Sequence, residues 1–392
     1  MRYGKFENTA RGSRSRPQVA WCGLLLAIGI AVAGVAHGLG SGANRGARTE
    51  QLSFQVNDDR MTVSVAGRPQ VYLYGVIDAD APQRFEALVR SGKIPAGSDI
   101  YLNSPSGDLA AGLALGRLFR ASSMATHLGT PRRTGRAGYQ GIKAAFCTGA
   151  CAYAYFGGLY RWAPTGNDHI GLTRDHVQAA TSSGSPLAEP AAGELDAYLK
   201  DMGIEPGRLA AMLTSAADSP VWLSADQMTA SGLANNGRLP LTAKTVLLPP
   251  MPSLELDQDD RSGSHRLVLQ CRPGNVTLTA YDFVGKTRAR EIVSRATRSY
   301  FEVNQQEVLT EQHDGASVVD GAVVITRPYP PTELVDLLSA QTIGAWVGGR
   351  TSAFRDGFAI KLYPARDAIK DYYEACWRVA PWPARQKTAK HG

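Results

Sequence analysis

The chain has 392 residues, of which 44% are hydrophobic and 20% are charged. This composition is typical of a globular protein and excludes wholesale disorder, and the length favours two domains over one. The formal net charge is +7, but the first 43 residues hold five basic residues and one acid, which leaves +3 for the rest. The sequence shows no basic face interleaved with aromatic residues, so we expect no nucleic-acid partner.

Residues 1–18 form a basic leader, and an uncharged apolar run follows at residues 19–40. About 20 apolar residues cross a hydrocarbon core as one helix, and the arginines before the run keep that end in the cytoplasm. The rest of the chain is therefore expected to be exported. We favour an uncleaved membrane anchor, because the run is longer than a usual signal core. The alternative is a signal peptide cleaved near residues 36–38 or 41–43.

Four cysteines follow this run, and an even number in an exported chain predicts two disulfides. Three pairings are possible. Pairing Cys271 with Cys376 would close the last domain onto itself and leave Cys147 to pair with Cys151. The local bond requires Cys147 to precede a helix, because two cysteines four apart in one regular helix are strained as a disulfide. No histidine or third cysteine adjoins the local pair, so we expect no metal and no cofactor.

Residues 51–239 alternate between strand and helix patterns, which predicts an α/β domain with largely parallel strands. Strands are expected at 71–77, 99–102 and 125–128, and helices at 80–91 and from residue 109 onward. The segment 179–193 is rich in Ser, Pro, Gly and Ala, which indicates a mobile loop or lid.

Residues 240–265 contain several prolines and an acidic cluster, and we interpret them as a linker. A small α+β domain is expected at 266–378, followed by a tail at 379–392. It has predicted strands at 267–271, 276–281, 300–303, 323–327, 343–348 and 358–362, and helices at 332–338 and 365–377. We find no catalytic constellation in this domain.

Four segments of the first domain carry a resemblance to a known family. They read IYLNSPSGDLAAGLALG at 100–116, FCTGACAYAYFGG at 146–158, IGLTRDH at 170–176 and WLSADQMTASGLAN at 222–235. In this order and spacing they resemble the Clp protease proteolytic subunit and its relatives in the crotonase superfamily. The pattern is most similar to exported bacterial Clp-like proteins.

The N-terminal segment and this resemblance together imply several expectations beyond the fold. The chain would lie in the bacterial inner membrane with its N-terminus in the cytoplasm and its main domains in the periplasm, or be secreted to the periplasm after cleavage. It would self-associate into a homo-oligomer and would contact a peptide or protein partner. The membrane itself would be contacted through the N-terminal helix.

A serine protease of this fold needs a hydroxyl nucleophile, an imidazole that takes its proton and a carboxylate that orients the imidazole. The resemblance places the nucleophile position on Gly149, the histidine position on Thr173 and the acid position on or near Pro220. None of these residues can perform the chemistry. We therefore predict a pseudoenzyme, a non-catalytic scaffold that binds a peptide or protein.

The oxyanion turn of the family is partly retained. Ser106 stands where one glycine is expected, Gly107 keeps the other, and the backbone amide of Ala150 would complete the set of donors. Backbone amides can stabilise an oxyanion whatever their side chain. The turn is thus expected to keep its shape even though the triad positions are replaced.

The alternative is an active exported serine/threonine-type peptidase that uses displaced residues. Thr148 would be the nucleophile and His169 or His176 the base, with an orienting acid from Asp168, Asp175 or Asp218. A shift of one residue turns a helical side chain by about 100°, away from the oxyanion turn. We instead expect Thr148 to be a helix N-cap and both histidines to be loop residues. A third possibility is that the C-terminal module is the functional part and the Clp-like domain only positions it.

Overall fold

The computed structural model describes residues 51–131, 143–173, 188–214, 220–249, 251–273, 275–308, 315–349 and 354–379. Buried apolar residues form two clusters, one from positions 52 to 234 and one from positions 254 to 376. The chain from Thr49 onward forms one compact unit around these two cores. The predicted membrane span at 19–40 lies outside the described residues. Within the described ranges, no helix is long and apolar enough to cross a membrane.

The first core is built from alternating strands and helices. In chain order they are β1 (Ser53–Asn57), α1 (Arg60–Ala66), β2 (Gln70–Tyr74), α2 (Ala81–Arg90), β3 (Asp99–Asn103), α3 (Leu109–Ala121), β4 (Ala125–Leu128), β5 (Phe146–Thr148), α4 (Ala150–Phe156), β6 (Tyr160–Arg161), β7 (His169–Leu172), α5 (Ala188–Asp201), α6 (Pro206–Thr214), β8 (Val221–Leu223) and α7 (Ala225–Ala230). Of the lid predicted at 179–193, residues 188–193 belong to α5 and the rest lie outside the described residues.

Two sheets organise this core. The larger has the strand order β1-β2-β3-β4-β6, and the smaller has the order β5-β7-β8. β2, β3, β4 and β6 pair in parallel, as do β5 and β7, whereas β1 and β8 are antiparallel to their neighbours. The prediction of a mixed α/β domain with largely parallel strands is therefore confirmed.

Period-2 patterning explains how the larger sheet faces the helices. Val71 and Leu73 on β2, and Ile100 and Leu102 on β3, are at most 1% exposed and pack in the first core. Helix α3 lies close to α4 because Gly112 has no side chain. A Cβ atom at Gly112 would lie 2.4 Å from the carbonyl oxygen of the first residue of α4. This approach positions the β5–α4 turn over the carboxyl end of β3.

Arg161 on β6 ties the last helix of this core to the sheet. Its side chain is 5% exposed, and burial, together with the nearby Arg120 guanidinium, lowers its pKa to about 10. No carboxylate neutralises it in the part of the chain that the structure describes. Instead it donates to the carbonyl oxygens of Phe156, Gly158, Met202, Gly232 and Leu233. The side chain therefore serves the fold rather than a reaction.

The second core consists mainly of antiparallel strands. In chain order its elements are β9 (Thr242–Val246), β10 (Ser253–Asp259), β11 (Ser264–Arg272), β12 (Asn275–Phe283), α8 (Lys286–Arg295), β13 (Arg298–Val303), β14 (Gln306–Glu307), β15 (Ser317–Val319), β16 (Ala322–Tyr329), a 3-10 helix (Pro331–Leu338), β17 (Thr342–Gly348), β18 (Arg355–Lys361), a second 3-10 helix (Tyr363–Ala365) and α9 (Arg366–Val379). The sheet orders are β15-β16-β12-β11-β10-β9 and β14-β13-β17-β18. The expected α+β organisation is thus present.

The prediction of a linker at 240–265 is wrong, because β9 and β10 lie within it. β10 alternates buried Leu254 and Leu256 with the acidic residues Glu255 and Asp257, which is the pattern of a half-buried strand. Those acids face Lys244 on β9, whose ammonium group lies 3.1 Å from the Glu255 carboxylate. The prolines that suggested a linker flank the strands rather than interrupt them.

Candidate functional site

The site that the sequence indicates begins at the turn between β5 and α4. Gly149 joins the two elements with φ 56° and ψ −122°. A residue with a Cβ atom is strained at such a positive φ, at a cost on the order of 1–3 kcal/mol. Hydrolases place a nucleophile on a sharp, strained strand-to-helix turn of this kind. Here the turn is formed by a residue that has no side chain.

A disulfide spans this turn. Cys147 lies on β5 and Cys151 lies in the first turn of α4, with their Cα atoms 5.2 Å apart. Cys147 thus precedes the helix, as the geometry of a local bond requires. A second disulfide joins Cys271 on β11 to Cys376 on α9. Both pairings considered from the sequence are present in the structure.

Thr148 is not the helix N-cap. The N-cap position is Gly149, without a side-chain cap, because the helix begins one residue later than expected. The Thr148 hydroxyl donates instead to the carbonyl oxygen of Pro105, and its amide donates to the carbonyl oxygen of Ser104 at 3.1 Å. The hydroxyl that a displaced nucleophile would need is therefore held by the neighbouring backbone.

His169 does not reach Thr148. In the pairing of β5 with β7, His169 lies opposite Phe146, and Thr148 lies opposite Gly171. The exposed imidazole stacks on the Phe146 ring, with 5.2 Å between centroids, and meets the edge of Trp222. In the described ranges, no imidazole contacts the Thr148 hydroxyl. His176, the other suggested base, lies outside the described residues.

Of the suggested orienting acids, the structure describes Asp168 alone. The carboxylate of Asp168 accepts a hydrogen bond from the amide of Ala145 at 2.8 Å, so it fixes the start of β5. Asp175 and Asp218 lie outside the described residues.

The former histidine and acid positions both adjoin β7. Thr173 follows β7 directly, and its hydroxyl is buried without a hydrogen-bond partner among the described residues. The ring of Pro220 packs beside Gly171 on the same strand, since a Cβ atom there would lie 3.2 Å from the proline Cβ. Neither residue can ionise near neutral pH. At these two positions the described structure therefore offers no imidazole or carboxylate that could accept a proton from a hydroxyl.

The turn expected to form an oxyanion hole is well ordered by hydrogen bonds. The carbonyl oxygen of Ser106 accepts from the Ile77 amide at 3.2 Å, and the Asp108 amide donates to the Ile77 carbonyl at 2.8 Å. Gly107 lies directly against Ile77, because a Cβ atom at Gly107 would lie 2.5 Å from the Cβ of Ile77. The Asp108 carboxylate caps α3 through the Ala111 amide. The turn keeps a defined shape without a triad.

Access to this turn is closed. Cys147, Thr148, Gly149 and Ala150 are all buried, and Ala150 is 0% exposed. A scissile carbonyl must approach a nucleophile to about 3–3.5 Å before attack. Gly149 is buried in this structure, so its backbone offers little surface for that approach.

A second site lies in a cleft between the two cores and was missed by the sequence analysis. Its volume is about 580 Å³, within the range of small-molecule sites. Charged and aromatic side chains from both cores line it, among them Arg68, Asp99, His127, Trp162, Arg261 and Trp346. These side chains come from segments far apart in the sequence, so no local motif signals them.

One wall of the cleft continues a stack of rings on the larger sheet. Tyr72 stacks on Tyr101 at 4.7 Å between centroids, Tyr101 on His127 at 4.8 Å, and His127 on Trp162 at 4.5 Å. Tyr72, Tyr101 and His127 occupy matching register positions on three neighbouring strands. Rings at corresponding positions of three predicted strands are the signal that sequence reasoning could have used.

His265 lies buried at the start of β11, beside the same cleft. Its Nε2 atom is 3.1 Å from the Asp260 carboxylate, and its Nδ1 atom is 3.0 Å from the Asp282 carboxylate. The ring stacks on Phe358 with 4.5 Å between centroids. Burial acts to lower the pKa of His265, but the two carboxylates outweigh it and raise the pKa to about 9.

Ser262 lies 3.4 Å from the same Nε2 atom, so Ser262, His265 and Asp282 have the composition of a serine triad. The arrangement does not support catalysis. The imidazole is protonated at neutral pH and cannot accept the hydroxyl proton. The amides of Ser262 and Gly263 both donate to the Asp260 carboxylate rather than toward an oxyanion. The cluster is an ionic junction within the fold.

Comparisons with known proteins place the chain in no family. No family model matches it, and no curated protein matches its sequence. Solved structures similar to it include a mutant of the 1510-N membrane-bound stomatin-specific protease, at 16% sequence identity and a TM-score of 0.28. That match covers 42% of this chain and 76% of the other. A likeness this weak supports no conclusion about fold or activity.

Proposed function

We propose that residues 51–239 form a Clp/crotonase-like domain that has lost peptidase chemistry and acts as a scaffold for a peptide or protein partner. The observation that carries this proposal is Gly149, a residue without a side chain at the sharp strand-to-helix turn. Self-association into a homo-oligomer is part of the proposal and rests on the resemblance of the four sequence segments.

Two further observations argue against the displaced-residue alternative. The Thr148 hydroxyl donates to a backbone carbonyl, and the His169 ring stacks on Phe146 and meets Trp222 edge to face. General-base activation needs a nucleophile and a base within about 2.6–3.2 Å of each other. The described residues offer no such pair at this turn.

We expect the purified full-length chain in detergent to hydrolyse no labelled casein above a blank and to bind no fluorophosphonate probe. Gly149→Ser introduces a hydroxyl and should remain unlabelled, because no imidazole among the described residues lies at this turn to activate it. The measurement is gel fluorescence of the probe with mass-spectrometric mapping of any adduct. The matched variants are Thr148→Ala, His169→Ala and His176→Ala. Probe labelling of Thr148 that is abolished in His169→Ala or His176→Ala would establish the active peptidase instead.

We further propose that the protein is exported and held in the bacterial inner membrane by residues 19–40. The basic leader before that run supports this orientation. Two disulfides within the cores also support it, because disulfides persist in oxidising compartments such as the periplasm.

A topology reporter tests this location. Alkaline phosphatase, which is active only after export, should be active when fused after residue 50 and inactive when fused after residue 18. An uncleaved anchor keeps the chain in the membrane pellet after carbonate extraction, whereas a cleaved signal peptide releases a shorter soluble chain. Activity of the fusion after residue 18, or none after residue 50, would reject the proposed orientation.

A further inference from the structure

Two arginines from opposite cores meet in the cleft. Arg68 Nη1 donates to the carbonyl oxygen of Gly97 at 3.3 Å, and Arg261 Nη2 donates to the same oxygen at 2.8 Å. Arg261 also binds the carboxylate of Asp99. Among the described residues, no carboxylate pairs with Arg68. Of the two guanidinium groups, Arg261 is paired with a carboxylate and Arg68 binds backbone carbonyl oxygens alone in the described structure.

The other two arginines of the cleft have carboxylate partners of their own. Arg288 lies 3.2 Å from the Asp356 carboxylate, and Arg355 lies 2.7 Å from the Glu302 carboxylate. Arg68 is therefore the arginine of the cleft that has no carboxylate partner among the described residues, and its guanidinium group lies close to that of Arg261.

Arg261 is also incompletely paired in its half-buried environment. The Arg261 side chain is 18% exposed, and its Nη1 atom is buried without a hydrogen-bond partner in the described structure. Burial lowers the pKa of Arg261, and the neighbouring Arg68 guanidinium lowers it further, although Asp99 opposes both. Guanidinium groups pair with carboxylate and phosphate through two parallel hydrogen bonds, so a second anion would relieve this arrangement.

Each core also contributes an aromatic surface to the cleft. Trp162 ends the stack of rings on the larger sheet. Trp346 comes from β17 of the second core, and the Arg355 guanidinium lies 3.9 Å above its ring. Aromatic faces in ligand sites favour flat or apolar groups, while a few charged residues determine which polar group is accepted.

We propose that the cleft between the two cores binds an oxyanion, a carboxylate or a phosphate, attached to a flat ring. Arg68 and Arg261 bind the oxyanion, and Trp162 and Trp346 contact the ring. The inference goes beyond the proposed loss of catalysis and uses none of its residues. Ligand binding in the cleft and peptidase activity at the Gly149 turn are measured in separate experiments. One proposal can therefore fail while the other holds.

Calorimetric titration of the full-length chain in detergent at low salt tests the proposal. The probes are benzoate and phenyl phosphate, with benzyl alcohol as the neutral ring and acetate and inorganic phosphate as ring-free anions. We expect saturable binding of at least one ring-bearing anion, at least tenfold tighter than benzyl alcohol and tighter than its ring-free counterpart. Preference for benzoate would indicate a carboxylate ligand, and preference for phenyl phosphate would indicate a phosphorylated one.

Arg68→Gln should weaken binding of the preferred probe at least tenfold, and Arg261→Gln should do the same. Arg68 donates only to backbone carbonyls, so its variant is expected to fold even if Arg261→Gln does not. The matched control is Arg90→Gln, an exposed arginine on α2 whose side chain is 71% accessible. Its affinity should equal that of the parent chain. The proposal is overturned if no ring-bearing anion binds saturably, or if folded Arg68→Gln binds as tightly as the control.

Discussion

Replacing Cys271 and Cys376 together by alanine is expected to lower the free energy of unfolding by about 4–5 kcal/mol. The bond joins β11 to α9 across a sequence separation of 105 residues. Cross-linking residues so far apart removes much conformational entropy from the unfolded chain, and the loss grows with the logarithm of the loop length. Alanine avoids leaving a polar atom in the buried site, since both cysteines are 0% exposed.

The second disulfide of the same chain provides the matched control. Cys147 and Cys151 are separated by only four residues, so their replacement by alanine should cost about 2 kcal/mol in the same entropic picture. Urea titration followed by circular dichroism gives both values. If replacing the long-range pair lowers the free energy of unfolding no more than replacing the local pair does, the Cys271–Cys376 disulfide does not stabilise the protein by restricting the unfolded chain.

Raising the pH from about 6.5 to about 9 is expected to lower the free energy of unfolding by about 3 kcal/mol through His265 alone. Asp260 and Asp282 raise the pKa of His265 to about 9 in the folded protein, against its ordinary value of 6.5, despite the opposing effect of burial. The folded state therefore holds the proton more tightly than the unfolded state. This stabilisation is complete below pH 6.5 and is lost as the pH rises through 9.

His265→Gln should remove this part of the pH dependence. It should destabilise the protein most at pH 6, because the parent chain gains most from its imidazolium there and the variant keeps both carboxylates without it. Urea midpoints at pH 6, 7.5 and 9.5 provide the measurement. His169→Gln is the control, because that imidazole is exposed and pairs with no carboxylate in the described structure. Equal slopes in the parent chain and in His265→Gln would show that the two carboxylates do not hold the proton.

Local patterns predicted much of the first core. The strand at Ala125–Leu128 has the expected bounds, because a short apolar run between turn signals is a local property. The prediction that Thr148 is the helix N-cap is wrong, because the conformation of a single residue decides where the helix begins. Gly149 adopts a positive φ, so the helix starts at Ala150 and not before it.

The cleft and the ionic junction could not be predicted, because they depend on pairs that only the fold brings together. Arg68 donates to the carbonyl oxygen of Arg261 across 193 positions. Asp260 and Asp282 meet around His265 because β11 and β12 are paired antiparallel, with His265 opposite Asp282. The acidic residues of β10 looked like a linker for the same reason, since the basic residues that face them lie on neighbouring strands.

The disulfide between β11 and α9 also determines whether the fragments of a proteolysed chain separate. Most of the second core lies between Cys271 and Cys376. A protease that cuts one surface loop there produces two fragments that stay covalently joined. Electrophoresis without reductant would display a nicked chain as a full-length band. In a compartment rich in proteases, the last helix would remain attached to its sheet long after the polypeptide had ceased to be continuous.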